Sequence, residues 1–257
     1  MIKVVVAGAA GRMGRAVIGV LPDYQEVSLS GAFEKSGHPM LGKEAAPGII
    51  ISDQPRNSLK DADILIDFTT PPSTLANLKV CLSLGKGVVV GTTGFSEAEM
   101  KEIKDASDRI PVLISPNMSS GVNLLFRLVS DAARSLPGYQ VEIVEVHHDQ
   151  KADAPSGTAK KLAEVVAQAR GQDLAKVAVY GRQGRPGPRR PDEIGIHAVR
   201  MGDIVGEHTV VFAAGGERIE LTHKAGSRET FARGAVKAAI FLHKKTPGFY
   251  SMADLLI

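Results

Sequence analysis

Residues 4–14, Val-Val-Val-Ala-Gly-Ala-Ala-Gly-Arg-Met-Gly, pass from a β-branched apolar run through glycines at 8, 11 and 14 into a helix-like segment. Few patterns restrict a chain more. Gly8 lets the chain turn sharply after the strand, Gly11 lets the backbone approach a bound group, and Gly14 lets the helix lie close on the sheet. The unpaired N–H groups and positive end of that helix then face the turn, which suits a pyrophosphate. The middle glycine falls one position later than in the usual dinucleotide fingerprint, but the physical logic survives the shift. A second apolar run, Val27–Phe33, ends at Glu34, about 20 residues beyond Gly14, where an acidic side chain accepts ribose hydroxyls. Lys35 follows and is placed to meet a 2′-phosphate, so the pair leaves NADH and NADPH both open.

The rest of the first half repeats the alternation. Ile2–Ala7, Ile64–Phe68, Val88–Val90 and Val112–Ile114 read as strands. Between them Arg12–Leu21, Pro72–Leu84 and Ser96–Ser107 read as helices, the last opened by Ser96 and Glu99 at capping-box spacing. This predicts an α/β fold: a Rossmann-type parallel sheet with helices on both faces. The pattern changes near Pro116. Asn123–Leu136 and Thr158–Arg170 read as helices and Val141–His147 as a strand. His208–Ala213 and Arg218–Thr222 are separated by Gly215-Gly216, the signature of an antiparallel hairpin. The second region is therefore expected to be α+β with a mixed or antiparallel sheet, and the helix Phe231–Lys244 is expected to return to the first.

Composition narrows the function classes. A chain of 257 residues holds one large domain or two modest ones, and 44% hydrophobic with 23% charged residues is ordinary for a globular protein. A net charge of +3 makes no demand for nucleic acid. The single cysteine, Cys81, excludes an internal disulfide and a Cys-based zinc site. No apolar run reaches the roughly 18 residues of a membrane span, and the N-terminus reads as a strand rather than a signal peptide, so a cytoplasmic protein is expected. Gly181–Arg190, with four arginines, three glycines and two prolines, is expected to be an exposed, mobile loop, solvated or in contact with an anion or a neighbouring subunit.

Ligands of open α/β sheets bind at the carboxyl ends of the strands. Asp67–Pro71, Gly91-Thr92-Thr93-Gly94 and Ser115-Pro116-Asn117-Met118 occupy such ends and are expected to border the cofactor, the last as hinge and nicotinamide contact. Simple turn chemistry explains the same residue types. The densest polar chemistry lies in Glu145–Lys161, where His147 and His148 end a strand, Lys151 follows, and Ser156-Gly157-Thr158 opens a helix. Histidine and lysine both deliver protons near neutral pH, and the N–H groups of Gly157 and Thr158 suit a carboxylate. The segment describes a site that holds an acidic substrate and protonates it. The plain alternative is a histidine pair at a strand end beside a capping serine. A metal held by His147, His148 and Asp149 is disfavoured, because consecutive strand residues point to opposite faces.

His-His-x-x-Lys-x-Asp-Ala-Pro-Ser-Gly-Thr-Ala from His147, with Gly91–Gly94, Gly202–His208 and His223-Lys224-Ala225, resembles the 4-hydroxy-tetrahydrodipicolinate reductase (dihydrodipicolinate reductase) family over nearly the whole chain. The resemblance implies an NADH- or NADPH-dependent enzyme of lysine and diaminopimelate synthesis, a cytoplasmic homotetramer acting on a small dicarboxylate heterocycle, with neither nucleic acid nor membrane as partner. It implies a dinucleotide-binding domain of residues 1–118 and 228–257 and a substrate-binding and oligomerisation domain of residues 119–227. By motif position it implies His147 as proton donor/acceptor, Lys151 as proton donor, and His148, Gly157 and Thr158 as substrate contacts. The nucleotide contacts it implies are Gly8, Ala9, Ala10, Gly11, Arg12, Met13, Glu34, Gly91, Thr92, Thr93, Ser115, Pro116, Asn117 and Met118. This chain departs from many members at Asp149 and Gln150, where others carry basic residues, and at Thr70, where some carry arginine. Lys35 is then the main candidate for a 2′-phosphate, and the expectation tilts toward NADH. Two other readings share the glycine turn: a dehydrogenase of an amino acid or sugar, and a dinucleotide sensor without catalysis.

Overall fold

The computed structural model describes residues 1–256 and divides into two compact units, Met1–Ser120 with the segment from Arg228 onward, and Gly121–Ser227. In chain order the first unit supplies β1 (Ile2–Ala7), α1 (Arg12–Val20), β2 (Val27–Phe33), β3 (Glu44–Ala46), β4 (Ile49–Ser52), α2 (Pro55–Leu59), β5 (Ile64–Asp67), α3 (Pro71–Leu84), β6 (Gly87–Val90), α4 (Glu97–Ala106) and β7 (Pro111–Ile114). After α5 (Ser120–Ser135), the second unit holds β8 (Gln140–His147), α6 (Gly157–Ala169), α7 (Leu174–Val177), β9 (Ala178–Tyr180), β10 (Ile194–Arg200), β11 (Gly206–Ala214) and β12 (Glu217–Ala225). The chain returns to the first unit with α8 (Glu229–His243) and β13 (Gly248–Tyr250).

The first sheet has the order β13-β7-β6-β5-β1-β2-β4-β3, parallel throughout except for the edge strand β3. Its strands are apolar on both faces because helices cover both. Val4, Val6, Ile64, Ile66, Val89 and Leu113 pack with α1 and α8. The alternate residues Val5, Ala7, Leu65, Val88, Val90 and Val112 pack with α2, α3 and α4. Each fully buried aliphatic side chain contributes on the order of 1.5–3 kcal/mol, so both faces of these central strands hold the unit together. The sole cysteine, Cys81, lies buried in α3, and burial pushes its thiol up to about 12, which leaves it inert.

In the second unit the order is β12-β11-β8-β10-β9, with β8, β10 and β9 parallel and β11 antiparallel to both β8 and β12. The β11–β12 hairpin closes through Gly215 and Gly216 at φ +59° and +85°, the two left-handed positions that a tight hairpin turn requires. Val141, Ile143, Val210 and Phe212 form one face of the sheet and pack on α5 and α6. The opposite face carries Val144, Val146 and Val211, half-buried, and the exposed Val199.

Gly181–Arg190 is exposed, but it differs from the free loop expected of it. Arg182 hydrogen-bonds Glu142 at 2.8 Å and Glu193 at 2.5 Å, and Arg189 hydrogen-bonds Glu142 at 2.9 Å and the Glu193 carbonyl at 2.5 Å. Burial pushes the Glu142 carboxyl up, but hydrogen bonds from Arg182, His197 and Arg189 outweigh it and hold the group at about 2. Arg190 Nη2 also reaches the Lys176 carbonyl at 3.4 Å, so three of the loop's four arginines have partners within the chain. Of the partner carboxylates, Glu142 stands on β8, 40 residues before Arg182, where only the fold reveals it, and Glu193 follows just beyond the loop.

Candidate active site

In the first unit the glycine turn has the geometry its spacing requires. Gly8 sits at φ +68°, and a Cβ at Gly14 would lie 2.1 Å from the Gly8 carbonyl oxygen, so α1 can approach β1 only with glycine there. Helix α1 has no side-chain cap and no acidic residue in its first turn, which leaves its N-terminal N–H groups for an anion. A cleft of about 620 Å³ opens beside it, lined among others by Gly8, Ala10, Gly11, Glu34, Lys35, His38, Thr69 and Thr70. Glu34 Oε1 accepts the Ala10 N–H at 2.9 Å, bracing the turn from the end of β2. The cradle, the acidic residue and the cleft fit a dinucleotide.

Behind the cleft lies Asp67, fully buried at the end of β5. Its carboxylate accepts the Thr69 N–H and hydroxyl at 2.9 and 2.6 Å, the Thr74 hydroxyl at 3.2 Å and the Asn77 amide at 2.8 Å. Thr92, from the loop after β6, joins this network through Thr74 and Thr69, so its hydroxyl is committed to shaping the loops. Ser115 bonds the Asn117 carbonyl at 2.7 Å and is buried, as is the Met118 side chain, which packs in the core. Gly234 of α8 lies so close that a Cβ would meet the Met118 carbonyl oxygen at 1.7 Å. Any ligand contact by Met118 is therefore made by its backbone. Pro116 and Thr93 are exposed, and Gly91 and Asn117 half-exposed.

The second unit gathers titratable side chains at the end of β8. Glu145 and His147, two apart on one strand, share its buried face. Glu145 Oε2 lies 2.5 Å from His147 Nδ1, and Arg200 at the end of β10 grips the same carboxylate with both terminal nitrogens at 2.8 Å. Glu145 Oε1 also accepts the Ser156 N–H at 3.0 Å. Burial pushes this carboxyl up, but the bonds from His147, Arg200 and Ser156 prevail and hold it at about 2. The Ser156 hydroxyl caps α6 by accepting the Ala159 N–H at 3.2 Å and pairs with His208 Nε2 at 3.1 Å. Burial and the neighbouring His147 push His208 down to about 3, so it is neutral at physiological pH. Gly157 and Thr158 form the first turn of α6, which carries no acidic residue. Lys151 Nζ contacts Asp153 at 2.7 Å, and this hydrogen bond draws the Asp153 carboxyl below the usual range. His148 is half-buried in the following loop, its backbone N–H on the Ile204 carbonyl at 2.7 Å. Among the described residues, no three His, Cys, Asp or Glu side chains gather as a metal site.

Sequence reading thus placed His147, His148, Lys151, Gly157 and Thr158 in one polar cluster and offered Ser156 as the helix cap it proves to be, but gave no role to Glu145, Arg200 or His208. The alternation of β8 pointed to Glu145, since it shares a face with His147. Arg200, 55 residues away, carried no such sign.

Comparison with known proteins agrees over the whole chain. The family descriptions "Dihydrodipicolinate reductase, N-terminus" and "Dihydrodipicolinate reductase, C-terminus" match residues 2–118 and 121–256. Proteins named 4-hydroxy-tetrahydrodipicolinate reductase from Nitrosomonas europaea and Syntrophotalea carbinolica are 50% and 49% identical, with 99% and 100% of this chain and 98% and 99% of theirs covered. A dipicolinate-bound dihydrodipicolinate reductase from Paenisporosarcina sp. TG-14 superposes with a TM-score of 0.79 at 25% identity, covering 98% of this chain and 97% of that one. An amine dehydrogenase from Mycobacterium smegmatis shares the fold alone, at a TM-score of 0.62 and 14% identity over 98% and 95% of the two chains. The chain belongs to the dihydrodipicolinate reductase family and is an NAD(P)H-dependent oxidoreductase of lysine biosynthesis.

Proposed function

We propose that in this reductase the first unit holds the nucleotide while the second binds and protonates 4-hydroxy-tetrahydrodipicolinate, which loses water and is reduced to tetrahydrodipicolinate. The observation that carries this reading is the hydrogen-bonded chain that joins His147 through Glu145 to the start of α6 and, through Arg200 and Asp153, to Lys151. The reduced nicotinamide, when bound, supplies a hydride to C4 of the ring. Gly8 to Met13 cradle the pyrophosphate, Glu34 accepts the ribose hydroxyls, and Lys35 meets a 2′-phosphate when one is present. The backbones of Gly91 to Thr93 and Ser115 to Met118 border the nicotinamide end.

In the second unit the N–H groups of Gly157 and Thr158 receive one substrate carboxylate, and His148 contributes to the same grip. As the C4–H bond forms, the π pair displaced from C4 shifts toward the adjacent carbon and the ring nitrogen, and the adjacent carbon takes a proton. Lys151 and His147 stabilise that density and supply the proton. The half-exposed valines on the open face of the second sheet support assembly through that face into a homotetramer, to be checked by sedimentation. We place the enzyme in the cytoplasm, where Cys81 stays reduced.

Steady-state kinetics on the hydroxylated dipicolinate precursor with NADH and NADPH test the reading. Turnover with either nucleotide is expected, and binding of both nucleotides without turnover would refute it.

A further inference from the structure

We propose that Glu145, clamped by Arg200, is the positioning residue that sets which nitrogen of His147 works and where the substrate's carboxylate cradle stands. The inference rests on the reading of His147 as a proton donor and deepens it. Glu145 is fully buried and spends every oxygen on the site: Oε2 on His147 Nδ1 and Arg200, Oε1 on Arg200 and the Ser156 N–H. A carboxylate accepts only, so its partner Nδ1 must carry a proton, and the exchangeable position is left at Nε2. That nitrogen lies over Gly206, where a Cβ would approach it to 3.0 Å. From β11, His208 packs edge-on against the imidazole with 5.2 Å between ring centroids, and it is neutral at physiological pH. Ser156 immediately precedes Gly157 and Thr158, so the same carboxylate that orients the imidazole also anchors the start of α6. Arg200 extends the device, since its Nη2 reaches the Asp153 carbonyl at 2.7 Å and Asp153 holds Lys151. One buried ion pair thereby ties together the imidazole, the ammonium and the helix start.

Two variants with opposite charge changes test this in the full-length enzyme. In Glu145→Gln the amide keeps an oxygen for Ser156 but turns an N–H₂ toward His147, which favours the wrong tautomer. We expect kcat to fall at least about tenfold with substrate KM within about threefold of wild type. The alkaline limb of the kcat profile should move to lower pH, because a neutral amide no longer stabilises an imidazolium. In Arg200→Gln the carboxylate loses its compensating charge, and the limb should move to higher pH. If Glu145→Gln does not fold, the sign of the Arg200→Gln shift still decides. A loss of turnover with the pH profile unmoved in the variants that fold, or a Glu145→Gln enzyme with wild-type turnover, would overturn the proposal. His147→Ala separates the two levels: if it turns over normally, the proton-donor reading fails. If it is inactive while Glu145→Gln and Arg200→Gln behave as wild type, only the positioning role fails.

Discussion

Asp67 and Glu145 are both fully buried carboxylates at the carboxyl end of a sheet strand, one in each unit, yet their surroundings differ in kind. Asp67 is held by hydroxyls, a backbone N–H and an amide from Thr69, Thr74 and Asn77. Glu145 is held by a guanidinium and an imidazole beside one backbone N–H. Neutral donors fix loops without coupling them to protonation, whereas a charged cage ties the carboxylate to a group that exchanges protons. The first arrangement suits a unit that binds a nucleotide, and the second suits one that delivers protons.

The largest expected effect falls on the second unit. His147→Ala should lower kcat by about 10²-fold or more, the usual scale for losing a general acid, in steady-state assays with either nucleotide. Asp67→Asn should act oppositely. It leaves a donor facing donors and is expected to destabilise the fold by about 1–3 kcal/mol in urea unfolding, with nucleotide KM raised and kcat near wild type. A matching collapse of kcat in both variants would erase the distinction between the two cages. Lys35→Ala sharpens the picture of the first unit: KM for NADPH should rise about tenfold and that for NADH much less, and equal changes would remove Lys35 from 2′-phosphate recognition.

A separate effect concerns acid stability. His208 is held at about 3 against 6.5 in the unfolded chain, so the unfolded state binds more protons between those values and stability falls as pH drops through that window. Glu145 adds a further loss between 4.5 and about 2, because its folded carboxyl resists protonation. Denaturant midpoints measured from pH 7 to pH 4 should therefore decline in wild type and decline less in His208→Gln. An identical slope in both would assign the loss elsewhere.

What the sequence revealed follows the range of the forces involved. Local patterns carried β1, α1 and the Ser96 cap of α4, whose hydroxyl and Glu99 form the reciprocal bonds expected of them. They also carried the Gly215-Gly216 hairpin. Short pieces such as β3, β9 and β13, three residues each, are too brief to show periodicity and exist because a neighbouring strand pairs with them. The site divides the same way. His147, Lys151 and Gly157 lie within one run of sequence and were legible. The clamp on Glu145 joins strands paired across the sheet, Ala198 opposite Glu145, and only the register of β10 on β8 brings Arg200 to it.

The division of labour between the units is tested most directly by Lys151→Ala, with nucleotide affinity titrated by fluorescence beside steady-state turnover of the hydroxylated precursor. Unchanged NADH affinity with kcat reduced by about 10²-fold or more is the expected result. Near wild-type turnover, or a loss of turnover traced wholly to weakened nucleotide binding, would contradict it.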